Sequence, residues 1–157
     1  CFVSPLDRAM NTAKLFLEGR DIPIIVDERL VEMGFGEYEG MAHIYQHPEL
    51  NIYKVFKDPT NYVPDKGAES FEELISRTSA FLNEVALPLV DEGKDVLIVG
   101  HGAMNSAIVN TIRGISLEHF WDEGIENCRL IKLIWYLGWF SVWTLYNVCC
   151  IWDTNVG

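Results

Sequence analysis

The sequence predicts an α/β protein: a three-layer α/β/α sandwich, built as a single domain over residues 1–157 with an atypical tail from 130 onward. Three observations lead there. Short β-branched runs, "IPIIVD" and "VLIV", alternate with segments of helical periodicity, the pattern of a sheet covered by helices on both faces. At 157 residues, 49% of them apolar and 22% charged, the chain is long enough to bury one sizeable core. Turn-rich stretches of Gly, Pro, Asn and Asp separate the runs, and no internal repeat breaks the alternation.

In chain order, Cys1-Phe2-Val3 reads as the end of a strand, and the sequence is expected to be N-terminally truncated because it opens on Cys and not Met. Ser4-Pro5 then starts a helix in "LDRAMNTAKLFLEG", with Ser4 as cap, a proline in the first turn and Gly19 as the stop. Residues 22–27 are a short strand, and residues 28–40 are a loop rich in glycine and glutamate. Residues 41–57 are predicted helical on both sides of Pro48, and "DPTNYVPDKG" is a second loop. The longest helix spans residues 69–92. Ser70 and Glu73 form its capping box, Phe71, Leu74, Phe81, Val85 and Leu89 its apolar stripe, and Pro88 a kink near its end. Residues 96–99 form a strand and residues 103–113 a helix.

The tail has a different character. Residues 133–152 contain no charged side chain and hold four of the five tryptophans. Twenty such residues meet the minimum for a membrane span, and Trp135, Trp139 and Trp143 would share one helical face. Gly138 also divides two β-rich runs as a hairpin turn does. A hairpin is the expectation, and a membrane-associated chain is the competitor.

A formal charge of −11 argues against a nucleic-acid partner, because phosphate backbones are held by clustered Lys and Arg. A small anion in a locally positive pocket stays compatible with it. Cys1, Cys128, Cys149 and Cys150 have no zinc-ligand spacing, and the setting expected from them is reducing and cytoplasmic. Nothing in the sequence fixes an oligomeric state.

"VLIVGHGAMN" places His101 at the carboxyl end of a strand, between Gly100 and Gly102 and ahead of a helix. Open α/β sheets bind ligands at that end. The two glycines would allow unusual dihedrals and a close ligand approach, and the helix would aim free N–H groups at the same crevice. That combination suits an anion, phosphate above all. A histidine that merely satisfies local backbone groups is the competing explanation. A nucleotide-binding turn is a third, although Asn105 stands where a third glycine belongs.

Arg8 lies in the first helical turn, where a guanidinium could fork onto phosphate oxygens, or simply face solvent. Glu32 lies in the glycine-rich loop after a strand, placed to protonate a leaving oxygen, or merely solvated among its acidic neighbours.

Taken together, "SPLDRAMNTA", "RLVEMGFGEYEG", "PDKGAES" and "VLIVGHGAMN" resemble, in order, four segments of the histidine phosphatase superfamily, which has the phosphoglycerate mutase-like fold; "IENC" fits its lead into the last strands. The resemblance implies hydrolysis of a small phosphorylated substrate through a phosphohistidine, with no metal and no cofactor. It implies that Arg8 binds phosphate, with Gly102 and Glu69 on the substrate side. Glu32 would donate the proton, and His101 would be the second histidine, donating to the phosphoryl group. The short interval between the glutamate loop and the later motifs resembles the phosphatase branch more than the mutases.

The family's attacking histidine lies in an Arg-His-Gly motif at the end of its first strand. No such tripeptide occurs here, and His43, His47 and His119 match no such motif. The expectation is therefore a chain without turnover on its own. A non-catalytic protein that binds a phosphorylated ligand or a partner is the alternative from another class.

Overall fold

A computed structural model describes residues 1–122, 124, 130–136 and 139–145 of the chain. Its central sheet is parallel, with strand β1 (Phe2–Val3) between β2 (Ile25–Val26) and β3 (Ile98–Val99). The ladder extends past the strand ends: Phe2 N–H donates to Leu97 O at 2.8 Å, Ser4 N–H to Val99 O at 3.0 Å, and Asp27 N–H to Val3 O at 3.0 Å.

Alternation along β1 assigns the two faces. Val3 points to one side, against Ala9 and Ala13 of helix α1 (Asp7–Phe16) and against Val99. Phe2 points to the other, into a larger core with Leu74 and Phe81 of α3 (Phe71–Phe81) and with Met104, Ala107 and Ile108 of α5 (Gly102–Arg113). Helices thus cover both faces of the sheet, as the alternation of runs predicts.

Several elements differ from the sequence expectations, each for a local reason. Ser4 does not cap α1. Leu6 precedes the helix without a side-chain cap, and the Ser4 hydroxyl accepts from Leu6 N–H at 3.3 Å while facing the site described below. Residues 41–57 form short 3-10 turns and one helical turn, α2 (Lys54–Lys57), instead of a long helix. There His43 takes a left-handed conformation (φ 53°) and Pro48 offers no N–H, so the helical ladder cannot run through. Buried Ile44, Ile52 and Val55 pin the segment to the core.

The Ser70–Glu73 capping box is present at the start of α3. The helix does not break before Pro88. It widens into a π-helical stretch (Leu82–Ala86), in which Leu87 N–H reaches back to Leu82 O, and continues as α4 (Leu87–Asp91). A proline clashes with the carbonyl four residues earlier, and the wider turn relieves that contact.

β2 is the outer strand of the sheet, with Ile25 and Val26 46% and 47% exposed. In the tail, β4 (Leu130–Tyr136) pairs antiparallel with β5 (Trp139–Leu145) in a separate two-stranded sheet, with Tyr136 opposite Trp139. This is the antiparallel pairing expected of the two runs; the turn expected at Gly138 lies outside the described residues. Among the described residues no helix is long and apolar enough to cross a membrane. The "IENC" segment and the rest of the tail lie outside the described residues.

Candidate active site

The site follows from the register of two strands. Val3 is paired with Val99, so the residues just beyond them emerge side by side at neighbouring carboxyl ends. Ser4 leaves β1 there, and His101 leaves β3. The Ser4 hydroxyl and His101 Nε2 lie 2.7 Å apart, both residues being buried.

Arg8, in the first turn of α1, reaches the same point and donates Nε–H to His101 Nδ1 at 3.2 Å. Because Nδ1 accepts from Arg8, the ring proton sits on Nε2 and is donated to Ser4 Oγ. Burial, then the cations Arg8 and Arg77, push the His101 pKa down to about 4, so the ring is neutral at pH 7 with one N–H to give. Arg8 itself is exposed.

Glu32 arrives from the loop after β2. Leu30 and Met33, 0% and 1% exposed, plug that loop into the core on either side of it. Its Oε1 accepts from Met33 N–H at 2.9 Å and from Met104 N–H at 3.1 Å, and its Oε2 from Ala103 N–H at 3.4 Å. The carboxyl group therefore sits on the N-terminus of α5. Burial raises its pKa above the ordinary carboxylate value, against the lowering effect of those three donors and of Arg8.

Two sequence expectations change here. The N–H groups of Ala103 and Met104 are not free for a ligand, because the chain's own carboxyl group occupies them. Neither Gly100 nor Gly102 takes a positive φ. Gly100 instead leaves room for a neighbour, since a Cβ there would lie 1.7 Å from the terminal methyl of Met104. Gly102 occupies the first helical position, where an N–H has no partner within the helix.

Glu69, expected on the substrate side, is engaged by protein. Oε1 accepts from Arg77 Nε at 2.6 Å, and Oε2 from Arg77 Nη2 at 3.0 Å and Gly34 N–H at 3.1 Å. The sequence reading missed both Arg77 and the Ser4–His101 contact. Arg77 follows Glu73 by four residues, which reads as an ordinary surface pair on a helix. Glu73 instead bonds the backbone N–H and hydroxyl of Ser70, at 2.8 Å each.

The other histidines lie elsewhere and pair locally: His43 with Tyr45, His47 with Glu49, and His119 with Asp122. Among the described residues, no group of three or more His, Cys, Asp and Glu side chains is arranged to hold a metal ion.

The chain is similar to known proteins in sequence and in fold. The family described as "Histidine phosphatase superfamily (branch 1)" matches residues 1–147. The chain is 32% identical over 145 residues to a 2,3-bisphosphoglycerate-dependent phosphoglycerate mutase of Methylobacterium sp., covering 87% of this chain and 67% of that protein. It is 32% identical over 150 residues to the adenosylcobalamin/alpha-ribazole phosphatase of Salmonella typhimurium, covering 89% and 73%. Its fold superposes on the crystal structure of Bacillus stearothermophilus YhfR with a TM-score of 0.76, at 29% identity over 95% of this chain and 74% of that one. The chain spans only part of its curated relatives, 64% of a putative phosphoserine phosphatase of Hydrogenobacter thermophilus and 27% of a probable 2-carboxy-D-arabinitol-1-phosphatase of Arabidopsis thaliana.

Proposed function

Because the chain belongs to the histidine phosphatase superfamily, we propose that it carries the phosphate-holding and proton-donating groups of a phosphomonoester hydrolase. The observation behind this reading is the convergence of Arg8, His101 and Glu32, from three separate segments, at the carboxyl end of β1 and β3. Arg8, exposed beside His101, supplies the positive charge for the phosphoryl oxygens. His101, held neutral, turns its Nε2–H from Ser4 to donate a hydrogen bond to a phosphoryl oxygen. Such a donor is most valuable as negative charge builds in the transition state. The Gly102 N–H adds a backbone donor beside them.

Glu32 has the environment of a general acid, since burial keeps its proton on at a higher pH than usual. In the reaction a histidine nitrogen forms a bond to phosphorus as the ester P–O bond breaks, and the leaving oxygen takes the Glu32 proton. Water then attacks phosphorus and the P–N bond breaks. The Glu32 carboxylate accepts the proton of that water, and phosphate leaves.

His101 is not the attacking group in this scheme, and His43, His47 and His119 are bound to their own sequence neighbours. The 157 residues alone therefore hold phosphate without turning over an ester. This feature also favours a second reading, in which the chain serves as a non-catalytic binder of a phosphorylated ligand. The relatives include a mutase and a ribazole phosphatase by name. Of these two classes, the short segment between the Glu32 loop and Glu69 favours a phosphatase, acting on a small phosphate monoester.

The test uses the 157-residue chain with inorganic phosphate in titration calorimetry and with p-nitrophenyl phosphate in a hydrolysis assay. Phosphate binding that weakens on the order of tenfold or more in Arg8→Ala, with no hydrolysis, is expected, since a hydrogen bond to a charged group contributes about 1.5–3 kcal/mol. Absence of phosphate binding would overturn the reading. Hydrolysis that survives in every histidine variant would remove the phosphohistidine scheme.

A further inference from the structure

Glu32 has a flexible side chain on a glycine-containing loop, yet proton donation requires its carboxyl group at one place. What holds that loop lies outside the site, on α3. Arg77, partly buried, spends all five N–H groups of its guanidinium on two targets. Nε and one Nη2 hydrogen form a fork onto Glu69, at 2.6 and 3.0 Å. Nη1 donates to Arg29 O at 2.7 Å and Val31 O at 2.8 Å, and the remaining Nη2 hydrogen to Glu32 O at 3.3 Å.

Three carbonyls of one short loop thus converge on one cation, and the third belongs to Glu32 itself. Glu69 completes the enclosure: its Oε2 takes Gly34 N–H at 3.1 Å, and its backbone N–H donates to Gly34 O at 2.8 Å. The backbone is held before, at and after Glu32, and the carboxyl group projects from that frame onto Ala103 and Met104 N–H.

From this we infer that Arg77, with Glu69 as its anchor, is the positioning residue for Glu32, fixing the loop backbone so that the carboxyl group stays seated at the N-terminus of α5. Arg77 touches no reacting atom. The inference rests on the proposed role of Glu32 as proton donor, but the seat of Glu32 can be measured without turnover.

Lysine keeps the charge at position 77 but has only three donors on one nitrogen, so it cannot serve two carboxylate oxygens and three carbonyls at once. A general need for a positive charge on α3 would be met by Arg77→Lys. A need for the fork would not.

The experiment is an NMR titration of the 157-residue chain, following the Glu32 side-chain carboxyl carbon and the Ala103 and Met104 amides, in wild type, Arg77→Lys and Glu69→Gln. In the wild type both amides should shift with the ionisation of Glu32. In each variant that coupling should disappear, and the Glu32 midpoint should move down toward that of an exposed carboxylate, while near-ultraviolet circular dichroism reports a retained fold. A folded variant of either kind with wild-type amide coupling and an unmoved midpoint would overturn the inference. Using Glu69→Gln alongside Arg77→Lys guards against one of them failing to fold. Inorganic phosphate added to the same wild-type sample separates the two claims: lack of binding removes the functional reading, and the Glu32 titration still decides the role of Arg77.

Discussion

Lowering the pH from 7 to 5 should remove about 2 kcal/mol of folding stability through His101 alone. Its imidazolium form is disfavoured by burial and by Arg8 and Arg77, with a native pKa of about 4 against 6.5 for the free side chain. Between those values the unfolded chain binds a proton that the native chain refuses. Stability therefore rises with pH across this window and is lost as pH falls through it. The full gap, roughly 2.5 pH units at about 1.4 kcal/mol each, is about 3 kcal/mol, and most of it is spent by pH 5. Urea denaturation at pH 7, 6 and 5, in wild type and in His101→Gln, measures it. Glutamine can still accept from Arg8 and donate to Ser4 but cannot titrate. Glu32, whose raised pKa acts with the opposite sign, and Asp27, whose lowered pKa acts at lower pH, are common to both proteins and cancel. The variant should lose about 2 kcal/mol less than wild type between pH 7 and 5. Equal losses would mean that the buried ring titrates like a free one, and the tautomer assigned from Arg8 and Ser4 would fall with that result.

Two further outcomes follow from the geometry. Glu32→Gln should bind inorganic phosphate more tightly than wild type above neutral pH, on the order of tenfold, because a like charge beside the anion is removed; an unchanged Kd in calorimetry would place this carboxyl group away from the bound phosphate. Gly36→Ala should cost at least about 2 kcal/mol in thermal or urea unfolding, since a left-handed φ of 58° is combined with a Cβ 2.3 Å from Lys66 O. Gly40→Ala, at φ 75° with open space around it, should cost only about 1 kcal/mol, and equal costs would refute the steric claim.

The parts of this molecule that were legible in the sequence depend on residues close together in the chain. The strand ending in Gly-His-Gly and running into α5 is one, and the Ser70–Glu73 capping box is another. Gly138 between two β-rich runs pointed to pairing of β4 with β5, and the strands do pair. What stayed hidden depends on tertiary proximity. The hydroxyl of Ser4 looked like a helix cap, and only the pairing of Val3 with Val99 reveals that it faces a histidine 97 residues away. The N-terminus of α5 looked open, and the loop that fills it with Glu32 comes from 71 residues upstream of Ala103. Residues 41–57 have helical propensity around Pro48, but a handful of buried side chains in 3-10 turns anchor them better than a helix interrupted by proline would.

The outer strand β2 has a bearing on how the chain behaves in concentrated solution. Ile22, Ile25 and Val26 are exposed along an edge whose outward N–H and C=O groups have, among the described residues, no neighbouring strand in the sheet. Such an edge is a template for strand addition by another molecule, and an apolar one aggregates first when a protein is partly unfolded. Two neighbours counter this: Asp21 puts an exposed charge at one end of the segment, and Pro23 removes a donor from its middle, while Asp27 at the other end is paired with Arg29. With a net charge of −11 behind them, chains repel one another near neutral pH and lose that protection as the solution approaches the isoelectric point near 4.7. Acidic conditions thus remove the colloidal barrier at the same pH at which His101 weakens the fold.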